Sequence, residues 1–170
     1  MNTLLERLDA EDIRMEGACG EVAADVLSTP SLLPLLAEGM GHPDGRIRAR
    51  TSHAMERIAC ADPELVRPLT ARFIELAGSD PVPVVRWRYA VILGCIPYAG
   101  GDPEADVSVL LAMLHDRSVL VRRWAIVSLT DIAWRNPDRK EAIAAGIRPL
   151  ADDPSAIVRV RASRSLDILD

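Results

Sequence analysis

One phrase is written four times in this chain. DGRIRARTSHAMERI (44–58), PVVRWRYAVILGCI (83–96), VLVRRWAIVSLTDI (119–132) and AIVRVRASRSLDIL (156–169) each carry an Ile/Val-Arg pair followed by apolar residues at helical spacing. Aligned on that arginine, Arg48, Arg86, Arg122 and Arg159 are 38, 36 and 37 residues apart. Counted from the arginine, positions −1, +3, +6, +7 and +10 are mostly apolar or small and fall on one stripe of a helix. Each phrase therefore predicts an amphipathic helix with the same core face. A unit of this length cannot bury such a face alone, so the period predicts stacked copies that bury it against one another.

Between the phrases lie other apolar periodic segments: PSLLPLLAEGM (30–40), PELVRPLTARFIELAG (63–78), PEADVSVLLAMLH (103–115) and PDRKEAIAAGIRPLA (137–151). Several begin at Asp-Pro or Asn-Pro, where the polar residue can cap and proline suits the first helical position. The unit is thus helix A, short turn, helix B. No alternating runs or Asn-Gly hairpin turns argue for strands. Aromatic residues are only 4% of the chain, so the core is expected to be aliphatic. The first 29 residues hold a weaker copy, with Asp12, Ile13 and Arg14 before GACGEVAADVL. Gly17 and Gly20 would weaken its helix by about 1 kcal/mol each relative to alanine. This segment is expected to be a divergent N-terminal cap. The expected organisation is one domain, 1–170: a cap at 1–29, then repeats at 30–60, 61–98, 99–135 and 136–170.

The Asp at each A–B turn (Asp44, Asp80, Asp116, Asp153), followed by Val/Ile-Arg in helix B, resembles the HEAT-repeat signature in its short bacterial form. The resemblance spans roughly residues 30–170. It implies an all-α, right-handed α-α superhelix of about nine helices. It also implies that Arg48, Arg86, Arg122 and Arg159 are rungs of a ladder, each reaching the Asp of a same or neighbouring turn, a bidentate task suited to a planar guanidinium. Asp80, Asp116 and Asp153 each stand five residues before the valine of the pair. The first copy departs, with Asp44 only three before Ile47. Proteins of this kind include scaffolds, adaptors, chromophore lyases and DNA-repair enzymes, so function has to be argued from a site.

The resemblance further implies that the B helices line a concave groove. Positions +1, +5, +8 and +12 lie opposite the core stripe and are expected to face it. They are Ala49, His53, Glu56 and Cys60 in the first copy; Trp87, Val91, Gly94 and Tyr98 in the second; Arg123, Val127, Thr130 and Trp134 in the third; Val160, Arg164 and Asp167 in the fourth. Aromatic and apolar residues at phases that should be solvated point to a contact surface. The candidate binding residues are Trp87, Val91, Tyr98, Arg123, Val127 and Trp134. The alternative for Trp87 and Trp134 is that they fill gaps between helices. Trp124, at +2, is expected between repeats; Phe73 and Tyr89 are expected in the core.

Charge is divided. The B helices and their turns (42–60, 79–97, 115–135, 152–170) carry a net +4 and the remainder −9, which make up the chain's −5. An acidic balance with Lys140 as the only lysine disfavours general nucleic-acid binding. No apolar run reaches the roughly 20 residues of a membrane span, and the acidic N-terminus lacks a signal core. Cys19, Cys60 and Cys95 form no Cys-x-x-Cys pair, which fits a reducing compartment, and the expected location is the cytoplasm. His42, His53 and His115 have no ligand-spaced neighbours, no glycine-rich phosphate loop occurs, and neither a metal nor a cofactor is expected. No residue is assigned a catalytic role. The expected function is an interaction or scaffold module that binds a protein or peptide through the groove. The enzymatic alternatives come from the resemblance: a chromophore-lyase-like protein, or a DNA alkylation glycosylase using Trp87, Arg123, Asp131 and Trp134.

Overall fold

The computed structural model describes residues 3–9, 16–97 and 104–170. Among them every element is helical and no strand occurs. The chain divides into two compact units, Met1–Leu69 and Thr70–Asp170.

In the first unit, α1 (Thr3–Leu8) and α2 (Glu16–Ser28) pack on α4 (Gly45–Ala61), with the short α3 (Leu33–Ala37) beside α1 and α5 (Pro63–Val66) against α4. Asp12, Ile13 and Arg14, the hallmark of the weaker copy, lie outside the described residues. α4 starts where the Asp44 carboxylate accepts from the Arg46 N–H at 2.8 Å. α5 starts at Asp62, which accepts from the Leu65 N–H with Pro63 in the first position. The core is aliphatic: Leu4, Leu8, Val22, Val26, Leu36, Met40, Met55 and Ile58 are buried. Arg50, only 6% exposed, threads this core and donates to the Leu8 carbonyl.

The second unit has two layers. The A layer is α6 (Thr70–Ser79), α8 (Glu104–Met113) and α10 (Lys140–Ile147); the B layer is α7 (Pro83–Cys95), α9 (Val119–Arg135) and α11 (Ala156–Leu169). Each A helix packs on the B helix that follows it, and α9 lies between α7 and α11. The five stripe positions are buried in α7 (Val85, Tyr89, Ile92, Leu93, with Ile96 at its end) and in α9 (Val121, Ala125, Ser128, Leu129, Ile132). In α11, Val158, Ala162, Ser165 and Leu169 are buried and Leu166 is half-buried. Phe73 of α6 stacks on Tyr89 of α7, with ring centroids 5.3 Å apart.

α7 and α9 approach so closely that a side chain on Gly94 has no room. A Cβ there would lie 2.8 Å from the Ser128 Cβ and 2.9 Å from its Cα. Gly94 was expected on the groove; it is instead buried in the α7–α9 seam. Thr130, at the same +8 position of α9, is also buried, with its hydroxyl donating to the Ile126 carbonyl at 2.7 Å.

The turn aspartates and the stripe arginines meet across this layer. Arg86 of α7 donates from Nε and Nη2 to both carboxylate oxygens of Asp116, at 2.8 and 2.9 Å, and Nη1 donates to the Asp80 carbonyl at 2.7 Å. Arg122 of α9 repeats this one copy later: Nε and Nη2 to Asp153 at 2.8 and 2.9 Å, Nη1 to the Asp116 carbonyl at 2.8 Å. Arg159 donates from Nη1 to the Asp153 and Pro154 carbonyls. Asp80, Asp116 and Asp153 also accept from the backbone N–H two residues on, at Val82, Ser118 and Ser155. The first copy differs as its spacing foreshadowed. Asp44 is gripped by Arg46 of its own turn, which holds its carboxyl down at about 2; Arg48 donates to the His42 and Pro43 carbonyls, as Arg159 does at its own turn.

The structure yields two predictions. Gly94→Ala should lower stability by about 1–3 kcal/mol through overpacking, despite the gain of about 1 kcal/mol in helix propensity. Gly78→Ala, where a Cβ would sit 3.4 Å from Val109 Cγ2, should be neutral or stabilising. Chemical denaturation of the two variants reads the contrast. Second, the side chains of Arg86 and Asp116 are 7% and 14% exposed, so Asp116→Ala should cost about 3–5 kcal/mol by stranding a buried guanidinium. Burial pushes the Asp116 carboxyl up, but Arg86 and the Ser118 N–H more than offset it, and Arg122 likewise holds Asp153 low. Folded values below the unfolded one mean that this stabilisation is complete above about pH 4 and is lost as pH falls through the folded values. The wild type should therefore lose stability more steeply below about pH 4 than an Asp116→Asn/Asp153→Asn variant, measured by denaturation across pH.

Candidate functional site

The ladder fixes how neighbouring B helices in the second unit are offset, and that offset assembles an exposed face. Position +1 of one helix comes to rest against position +2 of the next. Trp87 of α7 thus stacks on Trp124 of α9, with centroids 5.6 Å apart and planes 18° from parallel. The guanidinium of Arg88 lies over the Trp87 ring at 4.5 Å, and that of Arg123 over the Trp124 ring at 5.0 Å. One helix further, the same offset sets Arg123 of α9 beside Arg161 of α11. Together with Ala156, Ile157, Val160 and Arg164 they line a pocket of about 390 Å³.

Two rows flank these contacts. At position −2, on the first turn of each B helix, stand Val84, Leu120 and Ile157, which are 36%, 44% and 56% exposed. At +5 stand Val91 and Val127, half-buried, and Arg164, exposed. The −2 row lies outside the expected groove positions +1, +5, +8 and +12, of which +5 is on the observed face. The observed face is centred nearer −2 and +5, because +8 is consumed by helix–helix contact. The signal was present: three of the four copies carry a large apolar residue at −2, and only the first has Arg46.

Of the sequence-derived candidates, Trp87, Arg123, Val91 and Val127 belong to this face. Trp87 also fills the α7–α9 seam, as its alternative reading held: it is half-buried, and its indole N–H is buried without a hydrogen-bond partner among the described residues. Trp124 packs across the same seam. Trp134 stands apart, roughly 15 Å along α9 from Trp124 at 1.5 Å rise per residue. It is 73% exposed and lines a second pocket of about 210 Å³ with Ala133, Pro137, Lys140, Ile168 and Leu169. Tyr98 lies outside the described residues. Asp131 is exposed at the surface, yet the protein around it strips enough water to push its carboxyl up, against the pull of Arg135 and Arg161. The four residues of the glycosylase alternative are therefore not gathered in one cavity, since Trp134 and Arg123 line different pockets.

Among the described residues no three His, Cys, Asp or Glu side chains come together as metal ligands would, and no helix is long and apolar enough to cross a membrane. The two tryptophans should respond differently to truncation. Trp134→Ala should leave stability within about 0.5 kcal/mol of the wild type, whereas Trp87→Ala, which removes the stack, should cost about 1–3 kcal/mol. Thermal denaturation followed by circular dichroism distinguishes them.

No protein-family model matches the chain, and no curated protein matches it. Solved structures do. The complex of CpcE and CpcF of phycocyanin lyase from Nostoc sp. PCC7120 contains a chain with a TM-score of 0.78 at 23% identity, covering 96% of this chain and 95% of that one. A designed armadillo repeat protein in complex with the peptide (KR)4 has a TM-score of 0.70 at 17% identity, over 99% and 81% of the two chains. A computationally designed armadillo repeat protein for modular peptide recognition has a TM-score of 0.70 at 16% identity, over 99% and 82%. At these identities the likeness speaks to the fold. Four copies of a helix-turn-helix unit, an Arg–Asp ladder and these neighbours agree: the chain has the fold of the HEAT- and armadillo-like helical repeat solenoids.

Proposed function

We propose that the chain is a protein-interaction module whose partner, a protein or peptide segment, docks on the face built by α7, α9 and α11. The repeats at 30–60, 61–98, 99–135 and 136–170 are its scaffold, and the first 29 residues its cap. The single observation that carries this reading is the aligned row of Val84, Leu120 and Ile157. Three large apolar side chains stand at equivalent places on the first turns of neighbouring helices, each more than a third exposed, and the first two of those helices carry the Trp87–Trp124 stack. Single exposed apolar residues need no explanation; a row of them next to aromatic and arginine anchors is the composition of an interface centre. Trp87, Val91, Arg123 and Val127 complete the surface, and Trp134 contributes a separate patch. Structural neighbours that bind a peptide or assemble with another chain support the same kind of use. Cys19, Cys60 and Cys95 form no disulfide with one another, which accords with a reducing compartment, and we place the protein in the cytoplasm.

The test starts from a partner co-purified with the wild-type chain and identified by mass spectrometry. Leu120→Asp combined with Ile157→Asp should abolish its recovery while helicity is kept. Ala142→Asp, on the exposed side of α10, should leave recovery unchanged. The opposite pattern would move the docking surface to the A helices.

A further inference from the structure

The pocket between α9 and α11 has a composition that the apolar strip does not explain. Arg123, Arg161 and Arg164 converge on it, and among the described residues none of the three makes an ion pair. Elsewhere in this unit Arg86, Arg122, Arg139 and Arg148 each hold a carboxylate. Arg161 is half-buried, and its Nε is enclosed without an acceptor. Burial disfavours its charge, as do the neighbouring Arg123 and Arg164; Asp131 is the carboxylate whose field opposes them. Three like charges around a concave space, opposed by the field of Asp131, leave a net positive lining, and a cleft focuses such a field. The walls are apolar, from Ala156, Ile157 and Val160, with Ile157 and Val160 56% and 51% exposed.

We infer that this pocket accepts an acidic segment of the partner: an extended peptide whose Asp or Glu side chains enter among Arg123, Arg161 and Arg164 while its apolar side chains rest on Ile157 and Val160. The inference rests on the docking face proposed above and specifies the chemistry of what docks there. Guanidinium forks pair with carboxylates in a bidentate, directional way, and Arg123, which lines the pocket, also rests over the Trp124 ring. A nucleic-acid strand would use a basic track following its backbone over many residues. Here three guanidinium groups gather at one pocket instead of following a track, and Val84, Leu120, Val91 and Val127 along the rest of the face are apolar.

The full chain can be titrated by fluorescence anisotropy against labelled peptides of alternating Glu and Leu, the same peptide with Gln for Glu, a Lys-Leu peptide, and an oligothymidylate of equal length. The Glu-Leu peptide should bind, more weakly as salt rises, and the Gln-Leu and Lys-Leu peptides and the oligonucleotide should bind at least roughly tenfold more weakly. Arg161→Gln with Arg164→Gln should weaken Glu-Leu binding by at least about tenfold, and Arg148→Gln, on the A layer, should not change it. Arg161→Glu with Arg164→Glu should transfer the preference to the Lys-Leu peptide; circular dichroism checks that each variant is folded. Equal binding of the Gln-Leu peptide, an unaffected Arg161→Gln/Arg164→Gln variant, or tighter binding of the oligonucleotide overturns the inference, the last assigning the pocket to nucleic acid. If the arginine variants recover the co-purified partner normally while Leu120→Asp/Ile157→Asp does not, acidic specificity fails and the docking face stands. If both variants recover it normally, both proposals fail.

Discussion

The second unit depends on one bidentate contact made twice: a stripe arginine of one B helix clamped on the turn aspartate of the next repeat. Asp116 shows how much converges on such a turn. Its carboxylate takes Arg86 from the preceding copy and the Ser118 N–H of its own turn, and its carbonyl takes Arg122. One residue thereby shapes the turn that precedes a helix, ties that turn to the helix it precedes, and ties both to the copy before. A guanidinium can do this because its donors point in fixed directions within one plane; a lysine ammonium could not satisfy both carboxylate oxygens and a carbonyl with the same register. The pair is mostly buried, so its loss leaves a charge with no water to replace the partner.

From that register the face follows. With Arg86 and Arg122 each anchored one copy ahead, α7, α9 and α11 are held at a repeated offset, and the side chains at +1 of one helix meet those at +2 of the next. Repetition of geometry does not mean repetition of chemistry. The first such meeting is Trp87 with Trp124, a neutral stack; the second is Arg123 with Arg161, two like charges beside a pocket. The same scaffold therefore displays an aromatic site and a cationic site next to each other. The closeness of the helices, which Gly94 against Ser128 permits, removes +8 from the surface and leaves −2 and +5 to form the exposed rows.

The distribution of neutralisation separates structural arginines from those available for binding. In the two rungs of the second unit the guanidinium finds a carboxylate within 3 Å, at Asp116 and at Asp153. Around the α9–α11 pocket no such carboxylate is provided, although Asp131 and Asp167 lie on the same two helices. Unpaired charge in a partly desolvated cleft is destabilising on its own, and a ligand of opposite charge is what offsets it.

Periodicity in the sequence determined the elements and the core. A residue's phase on its own helix is local information, so the stripe that buries Val85, Tyr89, Ile92 and Leu93 could be read without a partner in view. The turn aspartates and stripe arginines were legible for the same reason, and so was the departure of Asp44, three residues rather than five before its pair. What only the tertiary structure decided was which of the remaining phases meets a neighbouring helix. That depends on the offset and distance between B helices, set by the ladder and by packing at Gly94, and no single helix contains it. Hence Gly94 and Thr130 were expected on the surface and are buried, and Trp134 was grouped with Trp87 but lies at the far end of α9. For the same reason the −2 row and the convergence of Arg123, Arg161 and Arg164 became visible only when α9 and α11 were placed side by side.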